Sequence, residues 1–261
     1  AEHHALEMTI APNPFQILTW WAGHTDNIRL GTAVAVAAYW HPINLAGEAA
    51  MTDLISGGRL EFGIGSGAYQ REFDRMHPGL KQSDAYKHMH EMLPALKALW
   101  AGDYEHNGEF WSFPTATSVP KPVQKPHPPI WIGGHSRPAL RRTAKYGDGW
   151  HPVGAVDAAP LLPHEFQAKM DELYRLTEAE GRDPTKLEIS LKAPVYDKNA
   201  GKRADGERRH FTGTDEQIAE DIRLYQGMGV GEMVFDFRAS TLDACIERMQ
   251  ACADGVMKIL R

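Results

Sequence analysis

The chain has 261 residues, 43% hydrophobic and 24% charged, with a formal net charge of −6. That length suits one large α/β domain or two small ones, and the acidic balance leaves no footprint for nucleic acid or an anionic membrane surface. Apolar runs such as "GTAVAVAAYW" reach roughly ten residues, short of a bilayer span, and no charged-then-apolar leader opens the chain, so a cytoplasmic protein is expected.

In chain order, residues 14–25 ("PFQILTWWAGHT") read as a helix and "IRLGTAVAV" (28–36) as a β-branched, apolar strand. A helix over 42–56 starts at Pro42, carries Ile43, Ala46, Ala50 and Leu54 at helical spacing, and stops at Gly57-Gly58. "RLEFGIG" (59–65) is a strand, 84–100 a helix and "PPIWIGG" (128–134) a strand. A helix at 137–146, a strand at 148–153 and a long helix at 163–180 follow. Then come the strand "LEISLKAPV" (187–195), a helix at 215–227 with the Thr214/Gln217 capping-box pattern, and the strand "EMVFDF" (232–237). The last helix places Leu242, Cys245, Ile246, Met249, Ala253, Val256 and Leu260 on one stripe. Cys245 and Cys252 lie two turns apart on it, too far to bridge easily. Residues 101–127 and 196–213 read as long loops, either lids or decorations, with the second the better lid.

Strand–helix alternation implies a parallel sheet with crossover helices. If "AEHH" ends a further strand, seven βα units are present, one short of the eight that close a barrel. The expected architecture is therefore a single domain over 1–261, a (β/α)8 TIM barrel lacking its first strand and helix. An open doubly wound sheet is disfavoured, because no Gly-x-Gly-x-x-Gly turn follows the first strand.

In Glu2-His3-His4, neighbours on a strand point to opposite faces, so a metal site using both imidazoles is poor geometry. One mouth-facing histidine can serve as acid, base or hydrogen-bond donor; plain packing is the alternative. Gly65-Ser66-Gly67 after a strand can offer backbone N–H groups to a phosphate or ring carbonyl, or can be a simple turn. At Gly133-Gly134, the N-cap Ser136 and Arg137, glycine N–H groups, a hydroxyl, a helix dipole and a guanidinium converge on what a phosphate needs. An ordinary capped turn would look the same. Arg141, Arg142 and Lys145 read as a solvated face. His88 and His90, two apart on a helix, do not share a face. Tyr69, Trp111 and Trp150 are candidate flanks for an aromatic ligand, or packing.

Taken in order, "EHH…NP", "RLGTAV…HP", "ISGGRLEFGIGSG", "PKPV…PPIWIGG" and "KYGDGW" resemble the bacterial luciferase-like family of flavin-dependent oxidoreductases over nearly the whole chain. The resemblance implies reduced FMN, or alternatively the deazaflavin coenzyme F-420, at the C-terminal mouth of the barrel. It gives His3 and His4 the place of the active-site histidines and Ala33–Val34 that of a non-proline cis peptide behind the flavin ring. Gly65 and Ser66 are expected to bind the cofactor, with Ser66 where the family often has an arginine that contacts the phosphate. Gly133, Gly134, His135, Ser136 and Arg137 match the phosphate-binding turn. The implied reaction is monooxygenation of a small organic substrate with O2, His3 hydrogen-bonding or protonating near the reacting oxygen in a dry pocket. With the deazaflavin it becomes hydride transfer. The implied partners are a flavin reductase and a second copy of the chain through 42–56 and 84–100. A metal-dependent hydrolase and a non-catalytic flavin-binding barrel are the competing readings.

Overall fold

The computed structural model describes residues 1–7, 11–154, 161–199, 201–203 and 205–261; part of the expected 196–213 loop, residues 200 and 204, lies outside them. The chain divides into two compact units, residues 1–134 with 141–149, and residues 135–140 with 150–261. In chain order the elements are α1 (Pro14–Ala22), β1 (Leu30–Gly31), β2 (Ala35–Val36), α2 (Pro42–Ile55), β3 (Leu60–Gly65), α3 (Gln70–Met76), α4 (Tyr86–Ala101), β4 (Tyr104–Asn107), β5 (Ser112–Ala116) and β6 (Ile130–Gly133). They continue with α5 (Arg137–Tyr146), β7 (Gly149–His151), α6 (Pro163–Ala179), β8 (Glu188–Val195), α7 (Asp215–Gly227), β9 (Glu232–Asp236), α8 (Leu242–Asp254) and α9 (Val256–Leu260).

In the first unit, β3 is the central strand. It pairs in parallel with β1 (Leu30 opposite Leu60), with β2 (Ala35 opposite Ile64) and with β6 (Phe62 opposite Ile130). Its inner residues are apolar on both faces, as a parallel strand covered by helices requires. Leu60, Phe62 and Ile64 pack with Leu45, Ala46, Ala49 and Ala50 of α2 and with Met89, Met92, Leu93 and Leu96 of α4. The alanines let α2 lie close, and Trp100 Nε1 of α4 donates to the Ala46 carbonyl at 3.0 Å. α1 starts where Asn13 Oδ1 accepts from the Phe15 N–H at 3.0 Å, the capping expected of asparagine.

Three sequence expectations are corrected here. The strand read over 28–36 is two short strands, parted at the Ala33–Val34 cis peptide. The segment 101–127 is not all loop: β4 and β5 form an antiparallel hairpin with His106 opposite Phe113. Glu91 of α4 anchors the hairpin, accepting from His106 Nε2 (2.7 Å) and from the N–H groups of Phe110 and Trp111 (2.9 Å each). Burial alone would raise the Glu91 pKa, but these hydrogen bonds hold it below the usual carboxylate range. Residues 1–4 form no strand; Glu2 N–H donates to the Val34 carbonyl at 3.2 Å, which lays them beside the cis peptide, and His3 N–H donates to the Ala11 carbonyl at 3.4 Å.

In the second unit β8 and β9 pair in parallel, with Leu191 opposite Met233. α7 opens with the expected capping box: Thr214 Oγ1 accepts from the Gln217 N–H and Gln217 Oε1 from the Thr214 N–H. Asp221 of α7 pins the preceding segment by accepting from both terminal nitrogens of Arg208 (2.7 and 2.8 Å) and from the Phe211 N–H (2.6 Å). The last helix is broken at Gly255, where a Cβ would lie 2.4 Å from Asp215 Oδ2. Its apolar stripe is only half used. Cys252 and Val256 are buried, whereas Leu242 is 74% exposed and Ile246 and Met249 are also exposed. Both cysteines are free.

Trp150 stacks on Phe166, which meets Tyr225 edge-on. Beside them His151 is buried, its Nδ1 hydrogen-bonded to Ser190 Oγ at 2.5 Å. Desolvation first, and Lys192 second, lower its pKa from 6.5 to about 4. Between those values the unfolded chain binds a proton that the folded chain refuses, so acidification removes stability, by up to about 1.4 kcal/mol per pH unit. His151→Gln is expected to flatten the fall in urea midpoint from about pH 7 to about pH 4.5. An unchanged slope would place the proton uptake elsewhere.

Candidate active site

The site grows from a crowding problem around Val34. A Cβ on Gly65 would lie 2.6 Å from Val34 Cγ2, one on Gly133 would lie 3.1 Å from Val34 Cγ1, and one on Gly63 would lie 1.9 Å from the Thr32 carbonyl oxygen. No Cβ fits at Gly63 or Gly65 without a shift, and at Gly133 the Val34 side chain would have to give by a few tenths of an ångström. Thr32 Oγ1 closes the arrangement by donating to the Gly63 carbonyl at 2.6 Å. Ala33 and Val34 are left half-buried between the buried Thr32 and Ala35, a small flat apolar surface at the strand ends.

Two buried carboxylates organise the histidines. Glu2, 1% exposed, accepts from the Val36 N–H (2.7 Å), Trp40 Nε1 (2.9 Å) and His4 Nε2 (2.6 Å). Glu72, in the first turn of α3, accepts from the His4 N–H (2.5 Å) and His3 Nδ1 (3.2 Å). The His3 ring lies 5.6 Å from Tyr69, and His4 meets Tyr39 edge-on at 5.2 Å. With Nδ1 committed to Glu72, the partly exposed His3 ring keeps Nε2 available to a ligand. The Tyr39 hydroxyl is buried without a hydrogen-bond partner among the described residues. Burial, then the charges of Glu72 and Glu2, push its pKa well above the usual phenol value, so it remains a donor.

The expected residues fall into two groups. His3, His4, Val34, Gly65 and Gly133 come together in the first unit, with Ala33 and Ser66 adjacent in the chain to members of that group. Gly134, also in the first unit, turns the chain with φ of +95°. His135, Ser136 and Arg137 belong to the second unit. There Ser136 Oγ caps α5 by accepting from the Ala139 N–H at 3.4 Å. The exposed Arg137 pairs with Glu172 at 3.1 Å, and burial, then Lys169, lowers the His135 pKa. Arg142 does not join the solvated face expected for it: it is buried, its guanidinium 5.9 Å from the centre of the Tyr86 ring. Among the described residues no group of three or more His, Cys, Asp or Glu side chains is placed to hold a metal ion.

Sequence reasoning missed Glu72, Tyr39 and Trp40. An acid in the first helical turn after a glycine-rich turn was a weak signal for Glu72. Its partners, 68 and 69 residues away, could not be read from spacing.

Residues 1–212 match the profile of the family described as luciferase-like monooxygenase. The oxygenase component of a flavin-dependent trigonelline monooxygenase from Acinetobacter baylyi is 59% identical over 131 residues, 50% of this chain and 36% of that one. An FMNH2-dependent dimethylsulfone monooxygenase from Pseudomonas putida is 28% identical over 256 residues, 82% of this chain and 70% of that one. A solved monooxygenase from Streptomyces bottropensis shares the fold with a TM-score of 0.84, at 23% identity over 100% of this chain and 87% of that one. The barrel-type α/β fold expected from the alternation, and its luciferase-like kind expected from the resemblance, are what these comparisons show. The chain thus spans about a third of the length of its trigonelline relative.

Removing the Glu2 carboxylate strands the Val36 and Trp40 donors in a buried place. Glu2→Ala is expected to lower stability by about 2–4 kcal/mol and Glu2→Gln by less, since the amide oxygen still accepts. Urea unfolding of both variants checks this; equal, small losses would mean that the donors find water.

Proposed function

The chain belongs to the luciferase-like monooxygenase family, and on that footing we propose that it is the oxygenase component of a cytoplasmic flavin-dependent monooxygenase. It would take reduced FMN from a separate flavin reductase and use O2 to oxygenate a small organic substrate. The observation that supports this reading is the pair of carboxylate-held imidazoles beside the Ala33–Val34 surface.

The fit to a flavin rests on that surface. Glycines at 63, 65 and 133 bring two strands up to Val34 and leave a flat apolar face suited to backing a planar ring. Ala33, Val34, Gly65 and Ser66 would lie against the ring. The consecutive residues Gly133, Gly134, His135, Ser136 and Arg137 are the proposed phosphate segment. FMN, when bound, supplies the electrons and the activation of O2. The protein's own part is positional and protic. Glu72 fixes the His3 ring through Nδ1, so that Nε2 can give or take one proton at the reacting oxygen or the substrate. Glu2 fixes His4, and Tyr39 and Phe73, 5.1 Å apart, help to exclude water. The 59% identity to the trigonelline relative supports a small N-heterocyclic acid as substrate. A second copy of the chain is the proposed cover for the exposed Met51, Leu54 and Ile55 of α2.

Titration with reduced FMN and with F-420, followed by flavin fluorescence, tests the cofactor; oxygen uptake coupled to a reductase and NADH tests the reaction. Reduced FMN is expected to bind well below about 1 mM. His3→Ala is expected to cut oxygenation about 100-fold or more while FMN binding persists. Binding of F-420 alone would convert the reading to hydride transfer. Full activity in His3→Ala would remove the histidine from the chemistry.

A further inference from the structure

Along β8 of the second unit, successive side chains point to opposite faces. Ile189, Leu191 and Ala193 share one face and Ser190 and Lys192 the other. His151 joins the second face, because its Nδ1 is bonded to Ser190 Oγ at 2.5 Å. Pairing with β9 is regular here, with Ser190 opposite Glu232 and Lys192 opposite Val234, and the register shifts just after Lys192. On its other side, the Lys192 N–H donates to the Pro152 carbonyl at 2.9 Å and the Lys192 carbonyl accepts from the Gly154 N–H at 3.0 Å. Lys192 therefore stands near the C-terminal end of a parallel ladder, the end at which parallel α/β folds bind their ligands.

The charges on this face do not balance. Lys192 is half-buried, and among the described residues its ammonium has neither a hydrogen bond nor an ion pair. The acid that acts on it is Asp236, and that carboxylate is committed to Arg238, accepting from Nε and from the backbone N–H at 3.0 Å each. Asp236 and Arg238 cancel, and His151, its pKa lowered to about 4, is neutral at physiological pH. One positive charge is left over. Burial pushes the Lys192 pKa below the ordinary lysine value, so the cation is partly stripped of water. A cation withdrawn from water is as a rule paired, and here the chain supplies no partner. An ammonium is a compact point charge with three N–H donors. Beside a neutral imidazole, it matches one carboxylate, whereas a phosphate dianion calls for a second cation or an arginine fork.

We propose that the Lys192 ammonium, on the face of β8 shared with His151 and Ser190, is an anion site that takes the carboxylate of a small organic acid. Calling that acid the substrate rests on the oxygenase reading; the existence of the anion site does not.

The probes are nicotinate and nicotinamide, close in shape and different by one charge, titrated calorimetrically into the flavin-free protein. Nicotinate is expected to bind below about 1 mM and nicotinamide at least about tenfold more weakly. Lys192→Met keeps the side-chain bulk and removes the charge. It should weaken nicotinate about tenfold or more and leave nicotinamide as it was, while Lys192→Arg retains more of the nicotinate affinity. The urea midpoint of Lys192→Met without ligand should equal or exceed that of the parent, since the cation has no partner to lose. A lower midpoint would give Lys192 a structural ion pair and overturn the site. Equal nicotinate affinity in parent and Lys192→Met, or no nicotinate binding, also overturns it. Weakened FMN binding in Lys192→Met with nicotinate unmoved would assign the charge to the cofactor, against the proposal. Nicotinate binding as expected in a protein that does not bind reduced FMN keeps the site and overturns the oxygenase reading.

Discussion

One valine side chain occupies space that three β-carbons would otherwise crowd. Val34 sits against Gly63, Gly65 and Gly133, and no larger residue fits at the last two without moving it. Because interiors are close-packed, that contact sets the approach of β2, β3 and β6. It also fixes where the Val34 carbonyl points, and hence where the first residues of the chain can attach, since Glu2 N–H donates to it. From Glu2 the order spreads to Val36, Trp40 and His4. The histidines are thus positioned by a packing constraint two contacts away from them.

Three buried or half-buried carboxylates do similar work in the first unit. Glu2 and Glu72 each take one backbone N–H and one or two side-chain donors, and Glu91 takes two backbone N–H groups and an imidazole. Hydrogen bonds to a charged acceptor contribute about 1.5–3 kcal/mol each, against a desolvation cost of several kcal/mol per ion. The net gain in stability is therefore modest. What each carboxylate secures is geometry, by joining segments far apart in sequence: residues 2–4 to 36–40 and to 72, and α4 to the hairpin.

Local signals in the sequence were legible and distant ones were not. Thr214 and Gln217 announce the start of α7, and apolar strands between glycines and prolines announce β3 and β6, because caps and breakers act within four residues. The hairpin was hidden because β4 and β5 are short, carry polar residues on their outer face and include Pro114. Its anchor, Glu91, lies fifteen or more residues away. The stripe on the last helix was visible, but its break was not read from Gly255, whose constraint comes from Asp215. At the site, the histidines and glycines could be named, whereas Tyr39, Trp40 and Glu72 look like ordinary packing and surface residues until the fold brings them to Glu2, His3 and His4. Arg142 fails the solvated-face reading for the same reason: Tyr86 reaches its face of the helix from α4.

Glu91 takes both backbone hydrogen bonds of Phe110 and Trp111 at the hairpin tip, where His88 also stacks on Phe110, and Gly108 beside it leaves room for that carboxylate, since a Cβ there would lie 2.0 Å from Glu91 Oε1. Glu109, Phe110 and Trp111 are therefore carried on a short excursion between α4 and β6, outside the strand–helix framework that supports Val34 and the histidines. Replacement of that excursion leaves the proton-handling groups where they are. Descendants of such a chain can vary the hairpin tip while keeping the carboxylate-held histidines in place.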